Sequence, residues 1–333
     1  MYNTEKYLRR CLDSVLAQTL KNIEVLCVND ASIDGSGAIL SEYAKKDDRI
    51  HVTTFERNQG ISVARNHALD LAKGEYIYLI DSDDWLDPNY LEEMYSHAVA
   101  TGQDVVINCE WVFEYEIPYS GWKPGWKYDF LKDDAAFYPP VLIQSHFYPS
   151  VWTRLYRTSY LKDNGICFPP INRYEDNYFV GLAEVLQERS YIFHGPTYHY
   201  MQRQGSLNRG KAKAFEHFFA FDKLYDALKE RGVPPSGARR FRCLDSLWIK
   251  NKEQFLFLLS YFRKVENDVL AASELYSGFD CFAMKAILSC RKYAAFRLRY
   301  TPWMKLNWRI RILLNMGWPK CSRDVLEGKW RFF

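Results

Sequence analysis

Over the first 110 residues, short apolar runs alternate with amphipathic helical segments. Tyr7, Leu8, Cys11, Leu12, Val15 and Leu16 recur at helical spacing within residues 5–19. The run Ile23 to Val28 reads as a strand that stops at Asn29-Asp30, and a turn at 32–37 leads into a helix reaching about Lys46. His51 to Phe55 is a second strand, followed by Asn58-Gln59-Gly60 and a helix over 60–73 closed by Gly74. Tyr76 to Ile80 is a continuous apolar run, as expected for a strand buried on both faces, and it stops at Asp81-Ser82-Asp83-Asp84. A helix over 88–100 and a strand over 104–109 complete the series. This alternation predicts an α/β fold, a Rossmann-like and mostly parallel sheet flanked by helices. In such sheets ligands bind beyond the C-terminal ends of the strands, where the three polar clusters fall.

A doubly wound domain normally begins with a central strand. This chain opens on Met1-Tyr2-Asn3 and passes directly into a helix, so the expectation is a start that lies upstream.

Composition narrows the function. With 48% apolar residues in 333, the chain can bury a sizeable core. A net charge of +3 excludes a polyelectrolyte binder acting through the chain as a whole. None of the eight cysteines has the two-residue spacing of a zinc or redox motif, and the expectation is reduced thiols in a cytoplasmic protein. No signal peptide is visible at the N-terminus, and no apolar run approaches the roughly 20 residues of a membrane span.

Several residues carry candidate chemistry. Asp81 and Asp83, two apart on an extended backbone, face the same side and suit Mg²⁺ or Mn²⁺ shared with a diphosphate. A solvated acidic turn before a helix is the other reading of that pair. Asp30 can accept the N3–H of a uracil ring or cap the next helix. Gly60 allows close backbone approach at a helix start, where N–H groups face anions, and Arg65 a turn later reaches a base or phosphate unless it is a plain surface arginine. Glu175-Asp176 opens a helix and either holds a general base or complements the helix dipole. His199 is a candidate third metal ligand or a hydrogen-bonded core histidine. Arg203, in a loop with Gly205 and Ser206, either grips a diphosphate or serves the surface.

Taken in order, Tyr2-Asn3, Val28 to Ser32, Asn58-x-Gly60 through Ala64-Arg65-Asn66, Asp81 to Asp84 and Glu175-Asp176 resemble glycosyltransferase family 2 over residues 2–208. The family pattern begins with a strand ending in Pro-x-Tyr-Asn, of which Tyr2-Asn3 remains here. The resemblance implies a GT-A fold, a nucleoside-diphosphate sugar donor (most often UDP) and inverting transfer to an acceptor hydroxyl. By position it implies Asp30 on uracil, Arg65 on the base or diphosphate, and Asp81 on ribose or sugar. It also implies Asp83 on Mn²⁺ or Mg²⁺, with Asp176 as catalytic base beside Glu175. Tyr2, Asn58, Gly60, Ser82, Arg203 and Ser206 complete the expected donor site, and Asp81 and His199 the expected metal set with Asp83.

The implied organisation is a catalytic domain over 1–208, with a nucleotide-sugar half to about 110 and an acceptor half from about 111, then a helical region over 209–333. Tryptophans over 111–126 would face the acceptor or pack on the sheet. Residues 291–331 hold eleven lysines and arginines against Asp324 and Glu327, interleaved with Trp303, Trp308, Trp318 and Trp330. Such a tail suits peripheral contact with the anionic inner leaflet of the cytoplasmic membrane, and with it a glycan or lipid-linked acceptor in envelope or polysaccharide synthesis. A solvated basic face packed on the main domain is the plainer reading of the tail. Two rival functions remain at this point. One is a sugar-nucleotide binder without activity; the other is a nucleic-acid binder through the tail, which leaves the acidic clusters unexplained and is not the expectation.

Overall fold

A computed structural model describes residues 1–116, 135–138, 150–171, 173–187, 189–203 and 216–233, with 256, 259–260 and 263. The chain divides into two compact units, Met1–Lys211 and Ala212–Phe333. Ser206, Trp122, Trp126 and the basic tail lie outside the described residues.

The first unit begins with helix α1 (Glu5–Leu16), which buries Leu8, Cys11, Leu12 and Val15 along one stripe. Strand β1 (Val25–Asn29), helix α2 (Ser36–Ala44) and strand β2 (Ile50–Thr54) form a β-α-β unit with the two strands parallel. Leu8, Leu12, Cys27, Ile39, Leu40, Tyr43 and Ile50 make a common core between α1, β1, β2 and α2. Helix α3 (Ile61–Leu71) starts after Gly60, whose φ of 91° is open to glycine and strained for other residues. Strands β3 (Tyr76–Tyr78) and β4 (Trp85–Leu86), helix α4 (Tyr90–Thr101), and strands β5 (Val105–Asn108) and β6 (Trp111–Tyr115) follow. Then come strands β7 (Ala135–Tyr138) and β8 (Arg154–Arg157), and helices α5 (Thr158–Asp163) and α6 (Glu175–Val185). Strands β9 (Ser190–Phe193) and β10 (Tyr198–Gln202) close the unit. In the second unit, helix α7 (Glu216–Glu230) buries Ala220, Leu224, Ala227 and Leu228, a helical stripe.

The architecture is α/β, but the pairing is more mixed than the alternation predicts. Among the described strands, the largest sheet has the order β3-β8-β5-β9-β7, and only β5 with β9 is parallel there. A three-stranded sheet, β4-β10-β6, pairs β10 antiparallel to β4 and parallel to β6. The difference arises from β8, which enters antiparallel between β3 and β5. Its sequence, Arg-Leu-Tyr-Arg, has a charge at each end and no periodicity long enough to announce a strand. Strand β3 is correspondingly half-buried rather than buried on both faces.

Arg154, 1% exposed, is held by Glu184 of α6 at 2.6 Å, by the Ser150 carbonyl at 2.8 Å and by the Thr153 hydroxyl. A buried guanidinium is tolerable only when it is paired in this way. The pair therefore ties α6 to the interior strand β8. Cys11, Cys27 and Cys109 are buried free thiols, as the apolar patterning predicts, while Cys167 is free and exposed.

Candidate active site

Beyond the end of β1, Asp30 is 3% exposed and stitches two loops together. Its Oδ1 accepts the Gln59 N–H at 2.7 Å, its Oδ2 accepts the Gly60 N–H at 2.9 Å, and Asn58 donates to its carbonyl at 3.2 Å. Ala31, next in sequence, has φ 57°, a left-handed conformation that non-glycine residues adopt at a cost. Asn3 clasps the same loop, donating to Ser32 Oγ at 3.1 Å and accepting from the Ile33 N–H at 2.9 Å. Tyr2, beside it, leaves its ring 44% exposed. One rim thus gathers Asp30, Asn58 and Gly60, with Tyr2-Asn3 fastened to the loop that follows Asp30.

Arg65, from the second turn of α3, joins two other candidates. One Nη donates to Asp81 Oδ1 and the other to Glu175 Oε1, each at 2.8 Å, and the guanidinium lies 5.1 Å from the Phe168 ring centroid. Arg65 and Glu175 are 110 residues apart in sequence. Tyr174, just before α6, takes a left-handed φ of 61°, which turns the chain so that Glu175 and Asp176 lead the helix. Asp176 accepts the Asn177 N–H at 3.0 Å.

The pair is electrostatically strained. Burial above all, and then the Glu175 charge, push Asp176 from the usual 3.8 to about 8, while Arg65 opposes the shift. Burial also raises Glu175, against the pull of Arg65. The ionised Asp176 is therefore disfavoured by folding. Below about pH 4 folded and unfolded chains both hold this proton; between about 4 and 8 only the folded chain does. Its contribution to stability is full at the acid end and is lost as pH rises toward 8. Asp176→Asn, which cannot ionise, is expected to melt above the wild type at pH 9, with the gap much narrower at pH 5. Parallel thermal melts at the two pH values check this; equal gaps at both would overturn it.

The three aspartates of the 81–84 cluster go to different partners. Asp81 goes to Arg65, and Asp83 Oδ2 accepts from Arg203 Nε at 2.5 Å, bridging 120 residues of sequence. Asp84, 1% exposed, accepts from the Tyr198 hydroxyl and from the Met201 N–H at 2.7 Å, pinning this loop to β10. Ser82 lies half-buried between them. Burial first, and then Asp81, raise the Asp83 carboxyl, with Arg203 opposing. The sequence gives Asp84 no role of its own; nothing short of the fold distinguishes it from its neighbours.

The expected third ligand, His199, is committed elsewhere. Its two ring nitrogens lie 3.0 Å from Glu114 and 3.1 Å from Asp87, and the ring stacks on Trp85 with centroids 4.9 Å apart. Among the described residues no group of three or more His, Cys, Asp and Glu side chains is placed to hold a metal ion. Asp81 and Asp83 nevertheless supply hard oxygen donors. Mg²⁺-type ions commonly take one or two carboxylates and complete their shell with phosphate oxygens and water. The donor set thus fits a cation shared with a diphosphate and does not fit an all-protein cage.

The model of Glycosyl transferase family 2 matches residues 1–164. The poly(ribitol-phosphate) beta-glucosyltransferase of Bacillus spizizenii is 30% identical over 69% of this chain and 36% of its own length. Three other curated relatives align over 63%, 33% and 36% of their lengths, so the chain spans less than two-thirds of each. Among solved structures, Staphylococcus aureus TarS 1-349 in complex with UDP-GlcNAc superposes with TM-score 0.72 at 21% identity, covering 92% of this chain and 90% of that one. The mannosyltransferase PcManGT of Pyrobaculum calidifontis, in complex with GDP-Man and Mn²⁺, gives TM-score 0.52 at 16% identity, with 99% and 86% covered. Both likenesses concern the fold. No helix among the described residues is long and apolar enough to cross a membrane.

Proposed function

The chain belongs to glycosyltransferase family 2, and on that premise we propose that it transfers a sugar, with inversion, from a UDP-sugar to an acceptor hydroxyl in polysaccharide or cell-envelope glycan synthesis. The observation that carries this reading is the junction at Arg65, where Asp81, just beyond β3, meets Glu175 at the start of α6, next to Asp176. One arginine thus pairs a donor-side carboxylate with Glu175, the neighbour of the candidate base.

Asp30, Asn58 and Gly60 form the rim that receives the base, and Asp81 the ribose or sugar. Asp176 takes the proton from the acceptor hydroxyl at its carboxylate. The acceptor oxygen attacks the anomeric carbon from the face opposite the diphosphate, so the new bond forms as the old one breaks and the configuration inverts. Glu175 and Arg65 hold Asp176 in register. Arg203 offers positive charge to the diphosphate as its negative charge grows. A divalent cation, Mn²⁺ or Mg²⁺, on Asp83 and Asp81 would supply further neutralisation of the leaving diphosphate. A base with a pKa near 8 is a strong proton acceptor once ionised.

A panel of UDP-, dTDP- and GDP-sugars, each with Mn²⁺, Mg²⁺ or chelator, tests the reading. The expected result is a thermal upshift with UDP and Mn²⁺ together, and metal-dependent release of UDP from one UDP-sugar. An upshift with no turnover of any donor would mark a binder without activity, and no response to any nucleotide would overturn the proposal.

A further inference from the structure

Asp83, the carboxylate read as the cation's main anchor, is taken by Arg203. Both side chains are largely withdrawn from water, at 18% and 21% exposure, so solvent screens the pair only weakly. Asp84 fixes the backbone of β10 two residues before Arg203, through the Met201 N–H, and the Gln202 carbonyl accepts from the Glu116 N–H at 3.3 Å. The arginine thus springs from a fixed point, and its guanidinium lies 5.7 Å from the Tyr7 ring centroid. Arg65 differs, since it is locked between two carboxylates. Asp81 and Glu175 hold Arg65 and Asp83 holds Arg203, so three carboxylates face two guanidinium groups. The seat on Asp83 is thus already filled by a side chain.

We propose that Arg203 is a place-holder on Asp83 that makes cation binding conditional on the nucleotide. The inference rests on the donor-site reading above. A diphosphate offers the guanidinium a stronger, doubly charged partner. When Arg203 moves to it, Asp83 is released, and the phosphate oxygens complete a shell that the protein alone does not provide. Metal and nucleotide are then coupled, and linkage requires each to raise the affinity of the other by the same factor. The enzyme would not collect free divalent ions in the absence of donor. Arg203 is a positioning residue for the cation in this scheme, in addition to its contact with the diphosphate.

Mn²⁺ binding to the full chain, read by the electron paramagnetic resonance signal of free Mn²⁺ and by calorimetry with and without UDP, tests the proposal. Wild type is expected to bind Mn²⁺ weakly alone and at least ~10-fold more tightly with UDP, within the usual range for coupled sites. Arg203→Gln is expected to bind Mn²⁺ alone ~10-fold more tightly than wild type and to lose most of the enhancement by UDP. Arg203→Lys keeps the charge and should behave nearer to wild type; it also reports on the site if the glutamine variant misfolds. Arg9→Gln removes an exposed positive charge that pairs with Glu42, outside the site, and should change nothing. Equal Mn²⁺ affinity of wild type and both Arg203 variants, with UDP enhancement intact, would overturn the place-holder and leave the donor-site reading standing. An equal gain in Arg9→Gln would overturn it as a general charge effect. No Mn²⁺ binding by any protein, even with UDP, would overturn both.

Discussion

Asp176→Asn is expected to slow sugar transfer by ~10²–10⁴-fold, the usual worth of a positioned general base, while leaving nucleotide-sugar affinity nearly unchanged. The amide is close to the carboxylate in shape and cannot take a proton from the acceptor. It leaves the Asp81–Arg65–Glu175 bridge in place, so the donor side keeps its geometry. The loss should therefore fall on kcat, with donor binding by calorimetry as the control. Transfer by purified Asp176→Asn at a rate comparable to wild type would remove Asp176 from its role. Wild-type kcat should also climb with pH toward about 8 as Asp176 ionises, a limb that the asparagine variant should lack.

Asp83→Ala is expected to lose transfer by ~10²–10³-fold, in the range for removing one preorganised group that stabilises developing charge. It differs from the first variant in what else fails. Without Asp83 the proposed cation would lose its anchor, so donor affinity in Mn²⁺ should drop as well. The variant should also no longer distinguish Mn²⁺ from chelator. Donor binding thus survives Asp176→Asn far better than Asp83→Ala, and calorimetry on the two proteins separates a base from a metal anchor. Undiminished metal-dependent transfer by Asp83→Ala would refute the assignment.

Much of the first hundred residues is legible in the sequence, since helical and strand periodicities differ and each apolar run is cut by a polar cluster. Helices α1 to α4 and strands β1, β2 and β5 fall within a few residues of their expected places. Strand β8 is not legible, as four residues bracketed by Arg154 and Arg157 carry no repeat. Nor is the fate of His199, which follows from register. Pairing β10 antiparallel to β4 sets His199 opposite Trp85, and no local pattern encodes that alignment. Both Asp83 and Arg203 stand out as candidates from sequence, but their mutual pairing spans 120 residues and belongs to tertiary structure. Asp84 shows the same limit, since a carboxylate buried against Tyr198 looks identical in sequence to one facing water.

The Arg154–Glu184 tie on α6 bears on the role proposed for Asp176, which lies at the other end of the same helix. Asp176 and Glu184 ride on one helix, eight residues or about 12 Å apart along its axis. A helix pinned at its far end behaves as an indexed spindle. A slip by a single residue would swing the business end through about 100° and carry Asp176 away from any incoming hydroxyl. The interior ion pair keeps that dial set.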